Sequence, residues 1–232
     1  MSFPIAIAVL AALLAGVLYY GVPFALRRRQ LRSLVARAGR ERTAVLTYDD
    51  GPGRRLTPAL LALLESHGAH ATFFALGSRA AAAPEVLDRV REAGHEVACH
   101  AYEHVSAWRS APGSALRDAR RGFQVLGRWI DGAGWFRPPH GKLDLATLLW
   151  LRARGTGVVW WTLDSGDTWE QRPSPDRVAE QMVANGGGVV LLHDFDGTPA
   201  HDDFVLAATR ALLEAARRHG IRLRTLGDWL GA

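Results

Sequence analysis

The sequence predicts an α/β fold: a parallel β-sheet with helices over its faces, open or closed into a barrel. Three observations predict it. From residue 43 onward, short apolar runs alternate with helical patterns. Glycine follows several of the helical stretches, at Gly68, Gly94, Gly155 and Gly220, where a helix stop is expected. The residues able to do chemistry cluster just after the strand-like runs, where sites gather in such folds.

The runs expected as strands are 44–48, 72–75, 96–98, 158–162, 189–192 and 222–225, all short and most of them apolar. The helical stretches between them are 57–66, 84–93, 114–129, 145–154, 174–183 and 204–219. A chain of 232 residues, nearly half of them apolar, is long enough for one domain with a sizeable core. Cys99 is the single cysteine, so no internal disulfide can form, which fits a reducing compartment.

The N-terminus is different in kind. Residues 4–26 carry no charge, and as a helix they are long enough to cross a hydrocarbon core of about 30 Å. A cleaved signal peptide would have a basic start, a shorter apolar run and a small-x-small cleavage site. Here "MSF" is uncharged, and "FALRRR" is a poor site. The sequence therefore predicts a membrane anchor at 1–26, a basic juxtamembrane linker at 27–42 and a catalytic domain at 43–232. The linker holds seven arginines against one glutamate, a charge of +6, so the remainder of a chain with net charge +5 sums to −1. Basic charge confined to a segment beside an apolar one suits anionic lipid headgroups, so residues 4–42 are expected to contact membrane lipids, and no nucleic acid is expected as a partner. The same arginines predict a single-pass protein with its domain on the cytoplasmic side, with the extracytoplasmic side as the alternative.

The motif TYDDGP, residues 47–52, places two carboxylates side by side after the first strand. Adjacent Asp side chains repel, and a nearby dication would remove that repulsion. Two His four residues apart, His100 and His104, together with Asp50, make a facial set of ligands with open positions. Three protein ligands plus a water describe a catalytic zinc site; Co²⁺, Ni²⁺ or Mn²⁺ are alternatives. On a helical turn the spacing would bring both imidazoles to one face. Asp49 is then placed to act as general base on a water at the ion, with Arg137 holding it ionised. His193, at another strand end, can protonate a leaving group, and Asp167 or Asp164 could fix its tautomer.

These motifs resemble the polysaccharide deacetylase family, also described as NodB-homology domains or carbohydrate esterase family four. Thr47–Pro52 matches its T-F-D-D-G-P motif with Tyr48 for Phe, and His100–His104 its H-[ST]-x-x-H motif. Arg137–His140 matches R-x-P-[YFW], Asp164–Trp169 resembles the Asp-rich D-x-x-D-W motif, and "LLH" ending in His193 matches L-x-H. "ATFF" at 71–74 is also similar, and the likeness covers residues 43 to about 228. The resemblance implies an irregular (β/α) barrel, Asp49 as base, and Asp50, His100 and His104 as metal ligands. It further implies that Arg137 braces the base, that the His140 N–H helps bind the oxyanion, and that His193 is the acid. The implied reaction is hydrolysis of an N-acetyl group on an amino-sugar polymer or oligomer such as peptidoglycan, a chitin-like chain or an exopolysaccharide.

Three departures stand out. Ala101 replaces a hydroxyl that braces the ligand loop, His140 replaces an aromatic beside the substrate, and Thr168 separates Asp167 from Trp169. Other readings keep part of the pattern. A deacylase of a lipid-linked amino sugar at the cytoplasmic face shares the chemistry. A sugar-binding pseudoenzyme should have lost Asp49, Asp50 or His193, and all three are present. A non-haem iron oxygenase would not need the pairings of Asp49 with Arg137 and Asp167 with His193. His67, His70, His95 and His219 read as structural, and "HDDF" at 201–204 as an acidic helix cap. Trp161 and Trp169 are the tryptophans that could line a sugar groove.

Overall fold

A computed structural model describes residues 3–132 and 134–231. It begins with one long helix, α1 (Phe3–Glu41), which contains both the expected span and the expected linker. Its first half projects from the rest of the molecule: Leu10, Leu13, Leu14, Val17 and Leu18 are each more than half exposed. From Ile7 onward the helix is long and apolar enough to cross a membrane.

The segment expected as a linker is instead the second half of that helix, laid against the domain. Its arginines sit over an apolar stripe at helical spacing, in which Leu34 and Ala38 are buried and Leu26 and Leu31 pack on the core. At its lower end Glu41 accepts from the Trp229 indole at 2.8 Å, and Arg37 donates to the Trp229 carbonyl at 2.7 Å.

The remaining elements alternate as the sequence suggests. They are β1 (Thr43–Asp49), α2 (Leu56–Ser66), β2 (Thr72–Ala75), α3 (Gly77–Ala82), α4 (Pro84–Glu92), β3 (Glu96–Cys99) and α5 (Ser114–Leu126). Then come β4 (Trp135–Phe136), a 3₁₀ turn (Pro139–Gly141), α6 (Leu145–Ala153), β5 (Gly157–Val158), β6 (Leu163–Asp164) and α7 (Pro175–Ala184). The chain ends with β7 (Gly188–His193), α8 (Pro199–His219), β8 (Arg222–Leu223) and α9 (Leu226–Leu230). The strands are parallel and ordered β5-β4-β3-β2-β1-β7-β6, with β8 added to the start of β1. Among the described residues no ladder joins β5 to β6, so the sheet is a curled half-barrel.

The strand expected at 158–162 is in fact two short strands flanking a crossing. Gly157–Val158 pairs with β4, Leu163–Asp164 pairs with β7, and the residues between pass over the open side. Trp160 fills that crossing, fully buried, and donates its indole N–H to Gln30 of α1 at 2.7 Å.

Strand alternation sorts the core into two faces. Ala44, Leu46 and Tyr48 join the larger cluster under the helices, and the Tyr48 hydroxyl meets Thr209 of α8 at 2.9 Å. Val45 belongs to the second cluster with Phe74, Ala98, Val159 and Val189, and there Leu34 and Ala38 of α1 pack as well. Thr47 and Asp49 share the face of Val45, so the same alternation sends the Asp49 carboxylate into the half-barrel rather than toward the helices.

Candidate functional site

Asp49 ends β1 on the inner face. Asp50 would point the opposite way in an extended strand, but its φ of +67° breaks the alternation. Asp is among the few non-glycine residues that adopt this region readily. Gly51 follows, and a Cβ there would run into the carboxylate of Asp194. Asp194, which succeeds His193 on β7, accepts from the Thr57 hydroxyl at 2.6 Å, and burial pushes its carboxyl up to about 7. Gly51 thus lets the turn after β1 close over the end of β7.

The His pair is carried by a loop, not by the helical turn expected from its spacing. Ala101 and His104 both have positive φ, at 71° and 64°, and this irregular path brings the imidazoles together. His100 Nε2 and His104 Nε2 each lie 3.4 Å from Asp50 Oδ1, and the ring centroids are 4.9 Å apart. The ligand atoms of Asp50, His100 and His104 all fall within 4.8 Å of one another. His100 Nδ1 lies 2.8 Å from the Arg137 carbonyl, so that nitrogen carries the hydrogen and Nε2 presents its lone pair to the cluster. Burial holds the His100 imidazole down at about 3, which keeps it neutral. Asp50 Oδ1 is buried and has no hydrogen-bond partner. A buried carboxylate oxygen without a donor, facing the Nε2 atoms of two imidazoles, has the donor set of a cation site, so these residues fit a divalent metal.

Two pairs flank this cluster. Arg137, fully buried, donates to Asp49 Oδ1 at 2.7 Å and to the Thr47 hydroxyl at 2.7 Å. Burial pushes the Asp49 carboxyl up, and the Arg137 charge opposes that push. Asp49 Oδ2 lies 3.7 Å from His100 Nε2, beside the cluster. On the other side His193 Nδ1 is 2.9 Å from Asp167 Oδ1, and the His193 backbone N–H donates to Asp167 Oδ2 at 2.8 Å. Asp167 is therefore the carboxylate that touches His193. Asp164 instead accepts from the Gly166 N–H at 2.9 Å, and burial raises its carboxyl. Burial alone would lower the His193 imidazole, but the hydrogen bond and charge of Asp167, with Asp49 and Asp50 behind it, lift it to about 9.

His140 sits in the 3₁₀ turn with φ +55°, its ring centroid 4.3 Å from that of His104. Among the described residues no hydrogen bond engages its backbone N–H. Trp161 lies over the far side of Arg137, with the guanidinium carbon 5.9 Å from its ring centre, while Trp169 is exposed at the surface. The expected cap at 201–204 is displaced. Thr198 caps α8, and His201 and Asp202 lie inside its first turns. His201 Nε2 is 3.8 Å from Asp167 Oδ2, behind the His193 pair.

Two contributors escaped the sequence reading. Asp118 of α5 accepts from the backbone N–H groups of Glu103 and Val105 at 2.8 and 3.0 Å, gripping the loop on either side of His104. It supplies a brace where Ala101 offers no hydroxyl, and α5 comes close because a Cβ at Gly122 would collide with the Ala101 backbone. Asp118 lies among the buried positions of an otherwise apolar helix face, and that was its signal in the sequence. Arg27 of α1 donates to the Gly141 carbonyl at 3.0 Å, next to His140, with its guanidinium carbon 5.1 and 5.5 Å from the ring centres of Trp160 and Trp161. Nothing local in the sequence pairs residues so far apart.

This arrangement can do acyl transfer to water: a ligand set fit for a cation, a braced carboxylate beside it and a raised imidazole opposite. The chain matches the family model described as polysaccharide deacetylase over residues 36–161. It is 29% identical over 192 residues to a peptidoglycan-N-acetylglucosamine deacetylase of Bacillus cereus, covering 82% of this chain and 89% of that one. It is 31% identical over 199 residues to a chitooligosaccharide deacetylase of a Bradyrhizobium species, covering 80% and 89%. Among solved structures, the Bc1960 peptidoglycan N-acetylglucosamine deacetylase in complex with 4-naphthalen-1-yl-N-oxidanyl-benzamide superposes with a TM-score of 0.74 at 26% identity, over 82% of this chain and 89% of that one. A family 4 carbohydrate esterase from Streptomyces lividans in complex with acetate gives a TM-score of 0.66 at 28% identity, over 79% and 91%. A pseudoenzyme of the same fold, from Bacillus anthracis, matches with a TM-score of 0.70 at 19% identity, over 83% of this chain and 66% of that one.

Proposed function

The chain belongs to the polysaccharide deacetylase family and is a carbohydrate N-deacetylase; from that premise we propose that it is a membrane-anchored, metal-dependent hydrolase of N-acetylated amino sugars. The observation that carries the reading is the convergence of two braced pairs, Asp49–Arg137 and His193–Asp167, on opposite sides of the Asp50, His100 and His104 cluster.

Asp50, His100 and His104 would hold the ion, with zinc the first choice for a His₂-carboxylate set. A bound dication supplies Lewis acidity and lowers the pKa of water. Asp49, kept in place by Arg137, which Thr47 in turn anchors, takes the proton of the attacking water. The His140 N–H is free to stabilise charge developing on the amide oxygen. His193 is held protonated and correctly oriented by Asp167, and delivers a proton to the departing nitrogen. The amide C–N bond breaks, the water oxygen joins the carbonyl carbon, and acetate and the amine separate. The presence of Asp49, Asp50 and His193, whose loss a pseudoenzyme should show, supports an enzyme over a sugar-binding pseudoenzyme.

The first half of α1 is read as a retained span. Its helix runs without a break into residues that pack on the core, so removing it as a signal sequence would require cutting inside a docked helix. The arginine flank favours a cytoplasmic domain, and a C-terminal reporter active only outside the cytoplasm would contradict that by being active.

The test of the activity is acetate release by the detergent-solubilised full chain from N-acetylglucosamine oligomers in the presence of zinc. Zinc-dependent release is expected. Its absence, with the protein folded and zinc bound, would reject the reading.

A further inference from the structure

We infer that the active-site face of this protein is pressed against the bilayer and that its substrate is an N-acetylated amino sugar joined through phosphate to a membrane lipid. The inference rests on the deacetylase reading and on α1 being a retained span, and three independent observations carry it beyond them.

The first is direction. The strands carry their reactive residues at the carboxyl ends, as Asp49 and His193 in register on β1 and β7 illustrate. Helix α1 runs the opposite way. Its last turns reach Trp229 and then β1 at the amino ends of the strands, whereas Arg27 reaches the Gly141 carbonyl in the loop beyond β4, at the site. The apolar half that precedes Arg27 therefore leaves the molecule from the active-site face. A membrane that receives this helix lies over the site and not behind it.

The second is length. Crossing a hydrocarbon core takes about 20 residues. Contact with the domain begins earlier than that allows: the ring of Tyr20 is 6.0 Å from that of Trp108, and the ring of Phe24 is 6.5 Å from it. Residues 4–19 supply only about 24 Å of helix at about 1.5 Å per residue. The last part of the span thus runs beside Trp108, which places that residue at the level of the interface. Trp108 is 42% exposed, Tyr20 stands beside it and Tyr19 beside Tyr20, the residue types that collect at membrane–water boundaries.

The third is the chemistry of the cleft at that boundary. A cavity of about 410 Å³ is lined by Ser106, Trp108, Arg109, His140 and Lys142. It adjoins the ligand cluster through His140, whose ring packs on His104. Arg109 and Lys142 are both cationic, and among the described residues neither forms a salt bridge. The Lys142 ammonium lies 4.2 Å over the Trp108 ring, at the same rim. A neutral sugar chain gains little from two cations that have no carboxylate partner among the described residues, whereas a phosphate ester gains charge-assisted hydrogen bonds from both. An amino sugar whose phosphate sits between Arg109 and Lys142 at the interface would place its N-acetyl group toward the ligand cluster. Only the amide is then hydrolysed: water oxygen is added to the carbonyl carbon, acetate is released, and the nitrogen is protonated. The phosphate link to the lipid stays intact.

The test uses the full chain reconstituted with zinc in phosphatidylcholine vesicles. Three probes are compared: polyprenyl-diphosphate N-acetylglucosamine in the same vesicles, chitotetraose in solution and N-acetylglucosamine 1-phosphate in solution. The lipid-borne sugar is expected to be deacetylated at least about 10-fold more efficiently than either soluble probe, because confinement to the surface raises its effective concentration at the site. The double substitution Arg109→Gln, Lys142→Gln is expected to reduce the ratio of lipid-borne to chitotetraose turnover about 10-fold, the scale of lost charge-assisted contacts. Equal or better turnover of chitotetraose would overturn the inference, as would equal turnover of the soluble phosphate or a ratio unmoved by the double substitution. No turnover of any probe would remove the deacetylase reading as well. Protein that fails to float with the vesicles would remove the span and this inference together.

Discussion

Asp49 and His193 stand directly opposite each other, in register on the adjacent parallel strands β1 and β7. The proposed base and acid are thus set by the sheet itself and not by mobile loops, and each is fixed from behind by a buried partner, Arg137 or Asp167. Rigid elements hold reacting groups more closely than loops do, which is what proton transfer at two ends of one bond requires.

Replacing either residue should separate chemistry from metal binding. Asp49→Asn and His193→Ala are each expected to lower acetate release by about 10²–10⁴-fold, the usual worth of a placed proton-transfer group. Zinc content, measured on the same preparations, should stay unchanged because neither residue is in the Asp50, His100 and His104 set. Near-normal turnover in either variant would remove the role assigned to it.

The His193–Asp167 pair should also set the alkaline side of the pH profile. The imidazole is raised from its ordinary value near 6.5 to about 9, so it is protonated at neutral pH and loses its proton as pH rises through about 9. The stabilisation from this pair follows the same sign: fully present below about 6.5 and lost through about 9. Activity is expected to fall along that limb. In Asp167→Asn the limb should shift to lower pH, because burial then acts on the imidazole without its carboxylate. A profile unchanged by that substitution would mean that another group supplies the proton.

Asp118 offers a test of the ligand loop that touches no ligand. Asp118→Ala frees the N–H groups of Glu103 and Val105 and should weaken zinc binding by about 10–100-fold, the range seen when groups that orient ligands are lost. Competition with a chelator measures this directly. Asp118→Asn, which keeps one acceptor, is expected to recover part of the affinity, and equal affinity in all three proteins would show that the loop holds itself.

Much of this was legible in the sequence, and what was not has physical reasons. The apolar runs at β1, β2 and β7 were found because burial on both faces of a parallel sheet leaves a nearly continuous apolar signature. The two-residue strands β4 and β6 were missed because two residues have no period. Helix α3, "GSRAAA", lacks an apolar stripe to read. The second half of α1 was mistaken for a linker because its arginines drew attention away from Leu26, Leu31, Leu34 and Ala38, whose spacing already describes a docked helix. At the site, Asp49, Asp50, His100, His104, Arg137, Asp167 and His193 could be singled out because Asp, His and Arg are the residue types that such chemistry needs, and each follows a strand or lies in a nearby loop. Asp118 and Arg27 act through backbone atoms distant in the chain, and such contacts leave no local pattern.

The most direct test of the central claim is a zinc titration of the metal-stripped full chain, following acetate release from chitotetraose or, in vesicles, from the lipid-borne sugar. The account predicts negligible release without metal, a rise that saturates at one zinc per chain, and loss of that saturation in His104→Ala, since Asp50, His100 and His104 form one site. Full activity in the stripped protein, or an unchanged one-to-one titration in His104→Ala, would contradict it.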